Sequence, residues 1–285
     1  MSPGDPLTRR GGWFPEPASA GADRERTATG PYLVCLPYAG GTASVYRDWQ
    51  RELAGLGWPG RVVPVLLPGR GPRLHEAAYT AIRPLAEALA QALITRGFTS
   101  DYALFGHSMG ALLAYEVARA LTLAGEREPR HLFVSGSRAP HLYGDRTDHT
   151  LSDDELFRLV DDLGGLGPEP SVGSAYFTRR LPALRADLRA CDEYRWRPST
   201  PLSCPVTAFS GAGDRLAPES AVESWRPYTA GSFLRRHLEG GHFFLNGPAR
   251  SRLLREVRAQ LGTPRSGPGD DTRPLLPARN AAWTY

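Results

Sequence analysis

Gly106-His107-Ser108-Met109-Gly110 stands between two stretches of different character. Before it, Tyr102-Ala103-Leu104-Phe105 reads as a short buried strand. After it, residues 111–121 (Ala-Leu-Leu-Ala-Tyr-Glu-Val-Ala-Arg-Ala-Leu) are good helix formers with apolar residues at helical spacing. A serine on the sharp turn that joins such a strand to such a helix is in the position of a nucleophile. The turn crowds the backbone, and glycines at 106 and 110 relieve contacts that any side chain would worsen. The Ser108 hydroxyl is then held at the carboxyl edge of a sheet, with a helix N-terminus behind it. A Gly-x-Ser-x-Gly run also arises by chance in a chain with 31 glycines. The flanking elements and the downstream partners therefore carry the reading.

Outward from this turn, apolar runs alternate with helical ones. Strands are expected at Tyr32–Leu36, Arg61–Leu67, Tyr102–Phe105, His131–Ser135, Val206–Ser210 and Phe233–Leu238. Helices are expected at Tyr46–Leu53, Ile82–Arg96, Met109–Leu123, Glu219–Arg226 and Ala249–Gln260. Short apolar strands separated by helices imply an α/β architecture: a mostly parallel central sheet with helices on both faces. Ligands then bind outside the carboxyl ends of the strands.

The alternation breaks at about residues 141–201. Ser152-Asp153-Asp154-Glu155 forms a capping-box pattern opening a helix with Leu156, Leu159, Val160 and Leu163 on one face, stopped by Gly164-Gly165. A second helical region covers roughly residues 174–194. An insertion here is expected to sit over the site as a helical lid; a helical pair padding the surface is the alternative. Residues 1–29 and 263–285 are rich in Pro, Gly and charge without periodicity and read as flexible tails. Residues 30–262 remain as one α/β domain.

The 285 residues, 41% of them hydrophobic, suffice for a core of ordinary size. No stretch is long and apolar enough to span a bilayer, and Met1 to Pro17 lacks the apolar run of a secretory signal. Cys35, Cys191 and Cys204 are odd in number and lack metal-ligand spacing, which points to reduced thiols and a cytoplasmic location. Lysine is absent, so all 34 basic residues are arginine. The net charge of +4 comes from no basic block, which argues against a nucleic-acid partner. Nothing in the pattern demands a metal, a cofactor, a membrane or an oligomer, so a monomer is expected.

A serine hydroxyl needs a base to accept its proton, and that base needs a carboxylate to hold it. Of seven histidines, His107 adjoins the serine and points away from it. His75, His141 and His149 fall in loops, and His131 and His237 within strands. His242 differs: Glu239-Gly240-Gly241-His242-Phe243-Phe244 follows the last strand, where two glycines permit close approach and two phenylalanines anchor the loop. For the acid, Ser210-Gly211-Ala212-Gly213-Asp214 follows the preceding strand. Glu239 is too close to His242 in sequence, and Asp187 and Asp192 belong to the lid. Asp214 alone could be a turn residue; the order Ser108, Asp214, His242 makes it the acid of a triad. For the oxyanion, one backbone N–H is expected from Met109 and a second from Leu36-Pro37-Tyr38-Ala39-Gly40-Gly41, with Ala39 the chosen donor. That segment is also compatible with a simple glycine turn.

Several of these stretches together resemble a known family. Leu36–Gly41, Leu67-Pro68-Gly69-Arg70, Gly106–Gly110, Leu184-Arg185-Ala186-Asp187, Gly213-Asp214 and Gly240–Phe244 are similar to the discrete type II thioesterases of polyketide synthase and nonribosomal peptide synthetase pathways. The resemblance spans about residues 31–261. It implies an α/β-hydrolase fold with a helical lid and hydrolysis of aberrant or stalled acyl thioesters on the phosphopantetheine arm of acyl or peptidyl carrier proteins. It implies Ser108, Asp214 and His242 as the triad and Met109 and Ala39 as oxyanion donors, with no cofactor of the enzyme's own. Residues 69–73 (Gly-Arg-Gly-Pro-Arg) are richer in Pro and Arg than the family pattern and receive no catalytic role. A chain-releasing or macrocyclising thioesterase, a general carboxylesterase and a non-catalytic carrier-binding protein are the alternatives. The start at Met1, with no carrier-like segment following and no dimerising helix pair preceding, favours the discrete enzyme.

Overall fold

The computed structural model describes residues 12–15, 31–166 and 170–262, the stretch 170–176 as helix backbone only. Six strands form one sheet: β1 (Tyr32–Leu36), β2 (Arg61–Pro64), β3 (Tyr102–His107), β4 (Leu132–Ser135), β5 (Val206–Gly211) and β6 (Phe233–Leu238). Their order is β2-β1-β3-β4-β5-β6, and every neighbouring pair is parallel. Parallel neighbours require crossovers, and the helices supply them. These are α1 (Trp49–Gly55), α2 (Ile82–Thr95), α3 (Met109–Leu123), α4 (Asp153–Asp162), α5 (Pro170–Asp192), α6 (Glu219–Glu223) and α7 (Arg250–Leu261).

Alternation along β3 shows how the sheet is covered. Leu104 enters the layer packed by α2, α3 and α6, whereas Ala103 and Phe105 enter the layer packed by α1 and α7. Every β3 residue is buried, which explains its continuous apolar sequence. A fully buried Phe or Leu contributes roughly 1.5–3 kcal/mol relative to an exposed one.

Element bounds differ from the sequence reading where proline intervenes. The second strand stops at Pro64, short of Leu67; beyond it the Leu66 amide donates to the Trp13 carbonyl at 2.8 Å. The expected helix Glu219–Arg226 ends at Glu223, and a 3-10 turn, Arg226–Tyr228, takes over at Pro227. Pro227 has no N–H to donate to the carbonyl four residues back, that of Glu223, and its ring crowds that carbonyl. The expected Tyr46–Leu53 helix resolves into a 3-10 turn, Ala43–Tyr46, followed by α1.

The reading of residues 1–29 as a flexible tail is corrected for the four described residues of that stretch. Trp13 and Phe14 are buried in the core. The Arg73 guanidinium lies 4.5 Å from the Trp13 ring centroid, and Phe14 meets Phe98 edge-on. Burial of two large rings outweighs the ordering of a few residues. The rest of residues 1–29, and all of 263–285, lie outside the described residues.

Between β4 and β5 the chain leaves the sheet for the inserted helices. Ser152 caps α4: its Oγ accepts from the Glu155 amide, and Glu155 accepts from the Ser152 amide. Gly164 ends the helix at φ 79°, its amide and that of Gly165 donating to Asp161 and Val160, so the helix stops where the glycines stand. Leu156, Phe177 and Leu184 form a small separate apolar cluster between α4 and α5. Among the described residues, no helix is long and apolar enough to cross a membrane.

Candidate active site

Ser108 follows the last residue of β3 and has φ 54° and ψ −122°; it is the one non-glycine residue with positive φ among the described residues. Such backbone costs of order 1–3 kcal/mol and persists only where packing over-determines it. The packing is explicit. A Cβ at Gly106 would lie 2.0 Å from the Gly110 carbonyl oxygen, and one at Gly110 would lie 2.2 Å from that of Leu36. The glycines thus let β3, the start of α3 and the end of β1 meet. That contact brings the loop after β1 beside Ser108. The Ser108 amide is held by the Ser135 carbonyl at 2.8 Å.

His242 and Asp214 are brought together from the loops after β6 and β5. His242 Nδ1 lies 2.9 Å from Asp214 Oδ2, and both side chains are almost fully buried. The other carboxylate oxygen, Oδ1, accepts from the Leu216 and Ala217 amides at 2.9 and 3.0 Å. Three acceptor contacts fix the carboxylate against the imidazole and offset the cost of burying its charge. Bound through Nδ1, the ring keeps Nε2 for a second partner, and Ser108 and His242 line the same cavity.

The cavity holds about 790 Å³ including its open mouth. The floor is Ser108, His242 and the Tyr38–Gly40 segment; the roof is α4 and α5, with Leu159, Val160, Leu163 and Leu184 facing inward. The inserted helices therefore cover the site, as a lid does, and are not surface padding. Of the two phenylalanines after His242, Phe244 is buried in the core, whereas Phe243 lines the cavity. Phe243 packs against the edge of that same core, so both rings hold the loop.

The segment Tyr38–Gly41 is a turn closed by the Gly41 amide donating to the Tyr38 carbonyl at 2.8 Å, with Gly40 at φ +70°. Positive φ at the third residue is the type II pattern and explains the glycine. Ala39 lines the cavity, and Met109 opens α3, where backbone amides lack helix partners. Met109 follows Ser108 directly, and Ala39 lines the same cavity as Ser108.

His107, adjacent to the serine, points into the protein. It is fully buried, with Nδ1 2.9 Å from Ser135 Oγ and its ring centroid 5.1 Å from that of His242. Burial, reinforced by the neighbouring His242, pushes its imidazole well below the usual range, so it is neutral at ordinary pH. Its Nε2 is buried without a hydrogen-bond partner among the described residues. His131 is also internal, bonded through Nε2 to Thr207 Oγ1 at 2.8 Å, and His141 bonds Tyr228.

Two buried charges near the cavity were assigned no role from sequence. Arg70 and Asp187 form a two-pronged pair, Nη1 to Oδ2 at 2.5 Å and Nη2 to Oδ1 at 2.8 Å. Arg70 is 3% exposed and Asp187 1%. Buried opposite charges in a sequence are a prompt to seek a pair, but 117 positions separate these two.

Comparison with known proteins identifies the family. A thioesterase-domain family model matches residues 31–261. The RedJ thioesterase of the prodiginine pathway of Streptomyces coelicolor is 57% identical, the match covering 91% of this chain and 97% of that one, with a TM-score of 0.78. The type II thioesterase BorB from the borrelidin biosynthetic cluster is 36% identical over 87% of this chain and 97% of its own, with a TM-score of 0.74. Thioesterase PikA5 of Streptomyces venezuelae is 39% identical over 75% of each chain. The fold is accordingly that of the α/β-hydrolases. The chain is a thioester hydrolase belonging to the thioesterase family, akin to the type II thioesterases of polyketide and nonribosomal peptide pathways.

Proposed function

We propose that this enzyme is an editing thioesterase that clears aberrant or stalled acyl groups from the phosphopantetheine arm of carrier proteins, using Ser108, His242 and Asp214. The observation that carries the proposal is the buried His242–Asp214 pair opening onto the same lidded apolar cavity as the strained Ser108. The names of its relatives support the pathway and, with it, carrier proteins as partners.

In this reading the acyl chain lies under α4 and α5 with its thioester carbonyl over Ser108. His242 takes the serine proton through Nε2 as Oγ attacks. Asp214 holds the tautomer and stabilises the imidazolium. The Met109 and Ala39 amides bind the oxyanion. Collapse of the tetrahedral intermediate expels the thiol, which takes the proton from His242. Water, activated by the same histidine, then attacks the acyl-serine, and the free acid leaves. The apolar roof favours an acyl chain over a polar one and keeps bulk water from the acyl-enzyme.

The test is hydrolysis of acyl carrier protein and acyl-cysteamine thioesters. Ser108→Ala should lower turnover by at least about 10³-fold; near-normal turnover in that variant overturns the assignment. Equal cleavage of oxygen esters and thioesters would instead identify a general carboxylesterase. Lactone from a long hydroxyacyl substrate would identify a macrocyclising enzyme.

A further inference from the structure

We infer that Asp187, carried on the lid helix α5 and clamped by Arg70, is a positioning residue for the oxyanion turn. The inference rests on the assignment of Ser108 and Ala39 above. The Gly40 amide, at the third position of the turn, donates to Asp187 Oδ2 at 2.8 Å. Arg70 grips both carboxylate oxygens and reaches the Gly41 carbonyl with Nη1 at 3.4 Å and the Pro68 carbonyl with Nε at 3.2 Å. The two side chains thus touch the turn on its donor side and its acceptor side. Leu184, one helical turn before Asp187, packs 3.2 Å from where a Gly40 Cβ would be. Ala39 itself joins the lid's apolar cluster.

Two consequences follow from the chemistry. The Gly40 N–H is committed to a carboxylate, so within this turn the oxyanion contact falls to the neighbouring Ala39 amide. The peptide joining Ala39 to Gly40 is the one that rotates between type I and type II turns, and a charge-assisted hydrogen bond on its N–H selects one orientation. The turn is therefore held from the lid and from the Leu67–Arg70 loop, beyond its own Gly41–Tyr38 closure. Seating of α5 and shaping of the oxyanion hole become one packing event. Arginine suits the task because its planar fork satisfies both oxygens while a further contact reaches the turn.

The decisive variant is the double replacement Arg70→Met, Asp187→Leu. Swapping a buried ion pair for apolar side chains of similar size commonly leaves stability intact, yet it offers the Gly40 amide no acceptor. The double variant is expected to keep the wild-type far-UV spectrum and a comparable melting temperature. Its kcat on a short acyl-cysteamine thioester should fall roughly 10- to 100-fold, with KM changed less than about threefold. Binding of a trifluoromethyl ketone acyl analogue, which forms an oxyanion on Ser108, should weaken by the same factor, whereas binding of the matching carboxylic acid should not. Asp187→Asn, which keeps an oxygen for Gly40, should recover part of the loss. Wild-type kcat and ketone affinity in the folded double variant would overturn the inference while leaving Ser108 in place. Full activity of Ser108→Ala would remove the assignment on which it rests.

Discussion

The turn from β3 into α3 at Ser108, the elbow, and the lid meet across one cavity but are built in opposite ways. At the elbow, β3 is buried throughout and α3 is buried over its first ten residues, and backbone atoms of three elements approach so closely that only glycine fits. In the lid, α4 buries a single residue, Leu156, and a small apolar cluster joins α4 to α5. Polar contacts do much of the remaining work: Arg185 donates to the His149 and Leu151 carbonyls and pairs with Asp153, and Asp192 bonds His149. Close packing sustains a strained serine; a thin amphipathic roof does not need to, and such elements open at lower free energy. Under the proposed function, the chemistry sits on the close-packed side and the surface facing the acyl chain sits on the thin one.

The comparison is tested most severely at the close-packed side. Asp214→Asn keeps the shape and the Oδ1 contacts to Leu216 and Ala217, but would present N–H donors to His242 Nδ1 and force the wrong tautomer. Turnover should fall about 10³- to 10⁴-fold with unchanged fold and little change in KM. A loss below about tenfold would mean that the buried pair is structural and that the chemistry lies elsewhere.

Acid should reveal the same contrast in stability. Burial pushes the His131 imidazole, between β4 and β5, down to about 4, against about 6.5 in the unfolded chain. Between these values the unfolded chain binds the extra proton. Stability present above pH 6.5 is therefore lost as pH falls toward 4, by an amount on the order of 2–3 kcal/mol. His131→Gln should flatten that part of the curve in urea unfolding. Parallel curves for the two proteins would show that the sheet is not the acid-sensitive region.

The smallest effect is expected in the lid. Ser152→Ala removes the capping box at the start of α4 and should cost that helix about 1 kcal/mol. Amide exchange should quicken in α4 while turnover of a short acyl thioester stays within about twofold. A matching rise in exchange across β3 and α3 would show that the lid and the elbow unfold together, and the contrast would fail.

Much of this was legible in sequence where the signals are short-range. The switch from strand to helical periodicity around Ser108, the capping box at Ser152, the stop at Gly164 and the strand ends before Asp214 and His242 are each written in a few neighbouring residues. Proline shortened β2 and α6 relative to that reading, because apolar spacing continues past a residue that interrupts the backbone pattern. Trp13 lay in a segment of tail-like composition, and composition averages over a ring that is buried.

By itself, then, the sequence determined the order of elements, the elbow and the placing of Asp214 and His242 at neighbouring strand ends, because period and turn chemistry are local. Tertiary structure alone decided that Asp187 on the lid reaches back 147 positions to the Gly40 amide, with Arg70 clamping it. It also decided that His107 is buried against His242, and that Phe243 faces the cavity while Phe244 enters the core. A buried charge takes whichever partner folding brings within about 3 Å, and no local pattern encodes that meeting.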